Sequence, residues 1–264
     1  MEFLVSVWPW IWLNDALRYF LAAGGLTLVL WLGRAWFRCL RIQTDIASRR
    51  DQIREIAFSL LTITIFSGVG FSLFLGGDLF KLYHTAPRPT DVLIELTVMV
   101  LAHDTYFYWL HRGMHHPWWF RRIHRVHHRS RTPTPWAAYA FQPAEAVLEA
   151  GILPLMALCL PLSAVTVFLF TSHMILRNVL GHAGHELFPR WWLKVPVLRY
   201  INTTTHHDLH HATGRSNYGI YFTFWDRLCG TEHAEYAQRF DAVHARARIM
   251  RKAAGAAGDD RRST

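Results

Sequence analysis

From Ile56 to Gly77 the chain reads IAFSLLTITIFSGVGFSLFLGG, 22 positions without a charged side chain. A helix rises about 1.5 Å per residue, so a run of this length covers the roughly 30 Å of hydrocarbon in a bilayer. Lipid offers the backbone no hydrogen-bond partner, and a single apolar run satisfies its own amides and carbonyls only as a helix. The segment therefore sets the class: an all-α integral membrane protein, expected to have about four transmembrane helices.

Composition agrees with that class. Hydrophobic residues make up 52% of the 264 positions and charged ones 18%, with 12 Trp and 17 Phe, whereas a soluble domain averages about 25% charged residues. The formal charge of +9 comes from arginines at the ends of apolar segments. With no nucleic-acid module in view, anionic lipid headgroups are the expected partner rather than nucleic acid. Cys39, Cys159 and Cys229 lie far apart with no CxxC pair, so they read as packing residues and not as a disulfide or thiolate framework.

Further spans follow from the same pattern. The stretch YFLAAGGLTLVLWLG between Arg18 and Arg34 reaches span length if Arg34 snorkels. The N-terminal MEFLVSVWPWIWLND has no basic region or cleavage site, and reads as a retained, Trp-rich interfacial segment. A third span runs from Val92 to Leu110, and its later half, with His103 and Asp104, must face protein or water rather than lipid. Residues 143–181 are read as a membrane hairpin of two helices broken at Leu160-Pro161-Leu162-Ser163, because proline ends a helix.

The chain thus divides into an N-terminal membrane segment with two spans (1–91), a histidine-bearing region (92–235) that contains the third span and the hairpin, and a partly disordered cytoplasmic tail (236–264). Arg38, Arg41, Arg49, Arg50 and Arg54 follow the first span, and Arg112, Arg121, Arg122, Arg125, Arg129 and Arg131 follow the third. The positive-inside rule puts both loops in the cytoplasm.

Seventeen histidines are concentrated in three groups: His111 and His115; His124, His127 and His128; and His207, His210 and His211. Residues at i, i+3 and i+4 share a helical face, so each group is expected to aim its imidazoles at a common point. Imidazole suits Zn, Cu, Fe and Ni. Eight such ligands exceed the four of a tetrahedral zinc ion and fit two ions of higher coordination. His182 follows Asn178 by one turn and is a candidate extra ligand. His103 is as well suited to orienting a ligand from behind. His116 and His206 neighbour ligands and are expected to point away, and whether His185 ligates is open. His84, His173, His233 and His244 read as structural or exposed.

At these residues the chain resembles the fatty acid hydroxylase and sterol desaturase superfamily of histidine-rich membrane enzymes. The likeness runs through HDTYFYWLHR from His103, WFRRIHRVHHRS, NVLGHAGHELFP and HHDLHHATGRSNYGIYFTFWDRLCGT, over residues 92–232. The resemblance implies a cytoplasmic helical cap that carries the histidines on about four transmembrane helices. It implies two iron ions held by His111, His115, His124, His127, His128, His207, His210 and His211, with His182 as a further ligand. Zinc is a substitute to be expected in purified protein. Dioxygen would be the co-substrate, and a sterol, fatty acyl or related lipid would be hydroxylated or desaturated. No haem-binding HPGG is present, so electrons would come from a separate ferredoxin, or from cytochrome b5 with its reductase. The active site would face the cytoplasm, at a bacterial inner membrane or the endoplasmic reticulum. The sequence departs from the family at Asn178, where relatives often carry a histidine four before the next. Asp226 and Arg227 are expected to pair and fix the cap, and Gly219 and Gly230 to allow turns.

Two other classes compete. A zinc-dependent membrane hydrolase would use the same imidazoles, but no HExxH is present, and Glu145, Glu149 and Glu186 are the nearest carboxylate bases. A metal transporter would need its ligands spread along a path through the membrane.

Overall fold

The computed structural model describes residues 2–83 and 85–260. His84 and the last four residues of the tail lie outside the described residues. Helix α1 (Glu2–Tyr19) passes through a π-helical turn at Phe20–Gly24 into α2 (Gly25–Leu32), so one helix continues from Glu2 to Leu32. The sequence places Arg18 at the edge of the first span, after an interfacial segment. In the structure Arg18 lies inside the helix, because protein groups take up its charge. Asp15 pairs with it one turn earlier, and its guanidinium donates to the Thr171 hydroxyl and, at 3.3 Å, to the Phe168 carbonyl.

Helix α3 (Arg49–Leu75) starts at a capping box. Ser48 Oγ accepts from the Asp51 amide at 3.1 Å, and the Asp51 carboxylate accepts from the Ser48 amide at 3.2 Å, which satisfies two otherwise orphaned donors. Among the described residues three stretches are long and apolar enough to cross a membrane: Ser6–Leu32, Arg49–Leu75 and Ala164–Gly181. Helix α4 (Pro89–Met114) has 26 residues but carries Glu95, His103 and Asp104. All three are engaged by protein. Glu95 accepts from the Tyr83 hydroxyl and, at 2.9 Å, from the Ser163 amide. Asp104 accepts from the Tyr221 and Phe222 amides at 2.9 and 3.1 Å.

The next segment is a pair of helices, α5 (Pro143–Ala150) and α6 (Ile152–Cys159), followed by a break and then α7 (Ala164–Gly181). The break falls at Leu160-Pro161, where Leu162 and Ser163 pair in parallel with Leu82 and Tyr83. Ser163 Oγ then caps α7 by accepting from the Thr166 amide at 3.0 Å. Beneath the histidines, Tyr19, Ile63, Tyr139, Phe141 and Val179 form one buried cluster. Leu73, Met99, Ile152 and Phe170 form another further from them. Between membrane helices such clusters act through close packing rather than exclusion of water.

Helix α8 (Thr204–Thr213) is capped by Thr203 and ends at Gly214 in the left-handed conformation, with φ +66°. The last helix, α9 (Tyr236–Asp260), lies within the segment expected from residue 236 to be a partly disordered tail. Tyr236, Phe240, Val243 and Ala247 are buried, one stripe at helical spacing, and the last two pack on Cys39 and Leu40. Cys39 is thus a packing residue, whereas Cys159 is exposed.

Candidate metal centre

Five elements deliver the histidines. His111 and His115 come from the end of α4, and His124 from a π-helical turn at Phe120–His124. His127 and His128 come from a short 3-10 turn, His182 caps α7, and His207, His210 and His211 sit on α8. They converge into two sets, each with its donor atoms within 4.8 Å of one another. His111, His115, His124, His128 and His210 make the first set; His127, His182, His207 and His211 make the second.

This corrects the expectation that each sequence group serves one point. On α8 successive residues turn by about 100°, which leaves His207 and His211 about 40° apart and puts His210 about 60° to the other side of His207. The i, i+4 pair therefore shares a set and the i+3 residue crosses to its neighbour. The second group splits the same way, with His124 and His128 in one set and His127 in the other.

All nine rings present Nε2 to their set. His111 and His124 approach to 3.1 Å, His210 comes within 3.1 Å of His115 and 3.0 Å of His128, and His182 within 3.1 Å of both His207 and His211. Four of the opposite nitrogens are committed elsewhere. His111 Nδ1 faces the Tyr218 carbonyl at 2.9 Å, His182 Nδ1 the Asn178 carbonyl at 2.8 Å, and His210 Nδ1 the Ser216 carbonyl at 2.7 Å. His124 Nδ1 meets Glu145 Oε1 at 2.6 Å. A carbonyl or carboxylate cannot donate, so each of these Nδ1 atoms carries the proton and its Nε2 is a lone pair. His111 and His124 then set lone pair against lone pair at 3.1 Å. Only a cation between them turns that repulsion into binding, and two donors about 2.1 Å from one ion at right angles lie about 3 Å apart. The donor set fits a pair of metal ions.

Burial reinforces the neutral state. Removal from water, and then the charge of neighbouring imidazoles, push His124, His127, His128, His207, His210 and His211 well below the usual histidine range. Neutral imidazole is the form that ligates.

The remaining candidates fall outside both sets. His103 Nδ1 bonds the Tyr221 hydroxyl at 2.8 Å and touches none of the converging nitrogens. His185 Nδ1 donates to the Ala183 carbonyl at 2.9 Å. His116 is exposed, and His206 is buried 3.6 Å from Asp226. The Asn178 amide donates to the Ala138 carbonyl at 2.7 Å, joining the cap to α7 without reaching the nitrogens. Asp226 and Arg227 do not pair with each other, because neighbours on a helix point about 100° apart. Asp226 turns inward and accepts from the amides of Tyr218 and Gly219 at 2.9 and 2.8 Å, while Arg227 pairs with Glu232 at 2.9 Å. Gly230 has φ +65°, and a Cβ on Gly219 would lie 2.4 Å from the Phe222 carbonyl; the first supplies a turn and the second a close approach.

Glu145 was weighed from sequence only as a hydrolase base, and nothing in local spacing ties it to His124, which lies 21 positions away. Glu186 accepts from the Phe188 and Thr205 amides at 2.8 and 2.9 Å. Both carboxylates hold structure in place.

Beside the second set opens a cavity of about 550 Å³ between α1, α3, α5, α6 and α7. Its walls are mostly aliphatic and aromatic, and Tyr139 is among the lining residues. The Phe141 ring stands between Tyr139, at 6.2 Å, and His127, at 5.1 Å. A lipid-sized apolar space thus ends one aromatic ring from the converging imidazoles.

The chain is similar to known proteins over the region that carries the histidines. The fatty acid hydroxylase family model matches residues 96–231. The chain is 35% identical to a lathosterol oxidase of Mus musculus over 188 residues, 67% of this chain and 60% of that protein. It is 32% identical to the Homo sapiens lathosterol oxidase, over 69% of this chain and 62% of that one. A Delta(7)-sterol 5(6)-desaturase of Gibberella zeae is 32% identical over 60% of this chain and 47% of its own length. The chain therefore spans roughly half to three-fifths of the length of these curated relatives. No solved structure matches it. The chain belongs to the fatty acid hydroxylase and sterol desaturase superfamily, and among its described residues are helices long and apolar enough to cross a membrane.

Proposed function

We propose that the two histidine sets hold two iron ions, and that the protein uses dioxygen to hydroxylate or desaturate an unactivated C–H position of a membrane lipid. The observation that carries this reading is the convergence of nine Nε2 atoms at spacings of 3.0 to 3.3 Å, with the Nδ1 protons of four of the rings directed outward to protein acceptors. Iron bound there would supply the electron transfer to dioxygen that no side chain can perform. Two electrons and two protons must arrive for each dioxygen. In hydroxylation one oxygen atom enters the product and the other leaves as water; in desaturation both leave as water and the lipid loses two hydrogens. A separate ferredoxin, or cytochrome b5 with its reductase, would supply the electrons.

The chain's own residues do the positioning. Carbonyls of Tyr218, Asn178 and Ser216 and the Glu145 carboxylate hold four rings in one tautomer and orientation, as outer partners of metal-bound histidines commonly do. The apolar cavity receives the lipid, excludes water and leads its reactive carbon toward the imidazoles. Names of the relatives, lathosterol oxidase and Delta(7)-sterol 5(6)-desaturase, favour a sterol or similarly compact lipid. Five crossings, with α4 and both legs of the α5–α7 hairpin added to the first two, would put both histidine-bearing regions on the cytoplasmic side.

Mass spectrometry of lipids from cells with and without the protein tests the function. A species heavier by one oxygen or lighter by two hydrogens is expected, and it should vanish in His128→Ala and His211→Ala, one from each set. An unchanged lipid profile, or turnover under strict anaerobiosis with zinc alone, overturns the oxidase reading.

A further inference from the structure

Three ionisable side chains line the apolar cavity: Asp15, Arg18 and Glu149. The first two answer each other. Arg18 donates to Asp15, to Thr171 and, at 3.4 Å, to Ser172, so that pair ties α1 to α7 and is electrically neutral as a unit. Glu149 is different. It is 6% exposed, and among the described residues its carboxyl group makes no hydrogen bond and no ion pair. A buried carboxyl without a partner is costly and calls for a physical explanation. Packing alone does not give one, since a leucine would fill the same wall without the penalty.

Its position indicates the partner. Glu149 lies one turn after Glu145 on α5, about 6 Å along the helix, and Glu145 is the residue that holds His124. The carboxyl therefore faces the lipid space near the histidine end. We propose that Glu149 is the residue that recognises a hydroxyl group on the lipid seated in this cavity. A hydroxyl both donates and accepts, so it satisfies a carboxyl group in either protonation state. A lipid carboxylate would face an acidic group with no cation beside it. A hydrocarbon would leave the carboxyl unpaired. Holding the hydroxyl here places the carbons a few bonds away from it nearest the metals, so Glu149 is a positioning residue that decides which lipid, and which carbon, is presented. That consequence for the reaction rests on the proposed oxidase reading; recognition of the hydroxyl does not.

Equilibrium binding to the purified, metal-loaded protein in detergent separates the two. The probes are tritiated cholestanol and octadecan-1-ol, each competed with its parent hydrocarbon, cholestane or octadecane, without any electron donor. At least one alcohol should bind saturably and about tenfold more tightly than its hydrocarbon, the scale of one buried hydrogen bond. Glu149→Leu should bring each pair to equal affinity, and the isosteric Glu149→Gln should keep part of the preference. Both variants should retain the wild-type metal content, which checks that they fold. Equal affinity for alcohol and hydrocarbon in the wild type, a preference unaltered in both variants, or no saturable binding of either alcohol overturns the proposal. Hydroxyl selectivity without lipid oxidation in cells would sink only the oxidase reading. Lipid oxidation with selectivity untouched by the variants would sink only the role of Glu149.

Discussion

At the scale of single residues, four of the imidazoles, His111, His124, His182 and His210, do two jobs. One nitrogen points inward with a lone pair and the other is held from outside. The strongest outside contact is Glu145 on His124 Nδ1, at 2.6 Å and fully enclosed. Outer partners of this kind typically contribute 10–100-fold in metal affinity or activity. Glu145→Gln is therefore expected to lower iron affinity about tenfold or more while the fold survives, because the amide is isosteric and can still accept the Nδ1 proton. Metal titration of the variant beside wild type checks this, and unchanged affinity would show that Glu145 does not orient the ring. His244→Ala on α9, outside both sets, is the matching control and should leave metal content unchanged.

At the scale of elements, the break at Leu160-Pro161 is the decisive feature of the second half of the chain. A continuous helix through Ala150–Ser172 would carry α8 away from the end of α4. The turn returns it, and His210 lies 3.1 Å from His115 across 95 positions of sequence. A five-crossing topology follows if α4 and the α5–α6 leg also cross. Reporter fusions after residues 45, 88 and 250 are expected to read cytoplasm, exterior and cytoplasm. An exterior signal at 45 or 250 would sink this topology. The break was legible because proline and a polar serine interrupt an apolar run. The α9 helix was not, because its stripe of Tyr236, Phe240, Val243 and Ala247 is thin and surrounded by arginine and alanine, so it becomes visible only against Cys39 and Leu40.

For the whole molecule, concentrating nine imidazoles makes stability depend on protons and metal together. The buried histidines are pushed well below their ordinary pKa of about 6.5. Unfolding frees them to take up protons, so below about pH 6.5 the unfolded chain binds more protons than the folded one and stability falls as pH falls. Above that range neither state is charged at these groups and the dependence disappears. The metal-free protein in detergent should thus keep its melting temperature from pH 8 to about 7 and lose it progressively below about 6.5. Added iron(II) should raise the melting temperature most near neutrality, since protons compete with metal for Nε2. A melting temperature insensitive to both would remove the imidazole cluster from the stability of the fold.

Sequence alone determined whatever depends on neighbours along the chain. The uncharged run Ile56–Gly77, the three histidine groups at helical spacing, and the proline break at 160–161 are local patterns, because helix formation and face sharing are settled within a few residues. These were enough for a chain with helices of membrane-crossing length and for eight of the nine converging rings, with His182 marked by its distance from Asn178. Tertiary structure alone decided how the groups divide into two sets, since a 60° offset on α8 matters only once a partner ring stands opposite. It also gave Arg18 a place within a helix, by supplying Asp15 and Thr171, and it brought Glu145 to His124. The cavity with its unpaired Glu149 likewise exists only where α1, α3, α5, α6 and α7 meet, and no spacing along one segment encodes the gap between five.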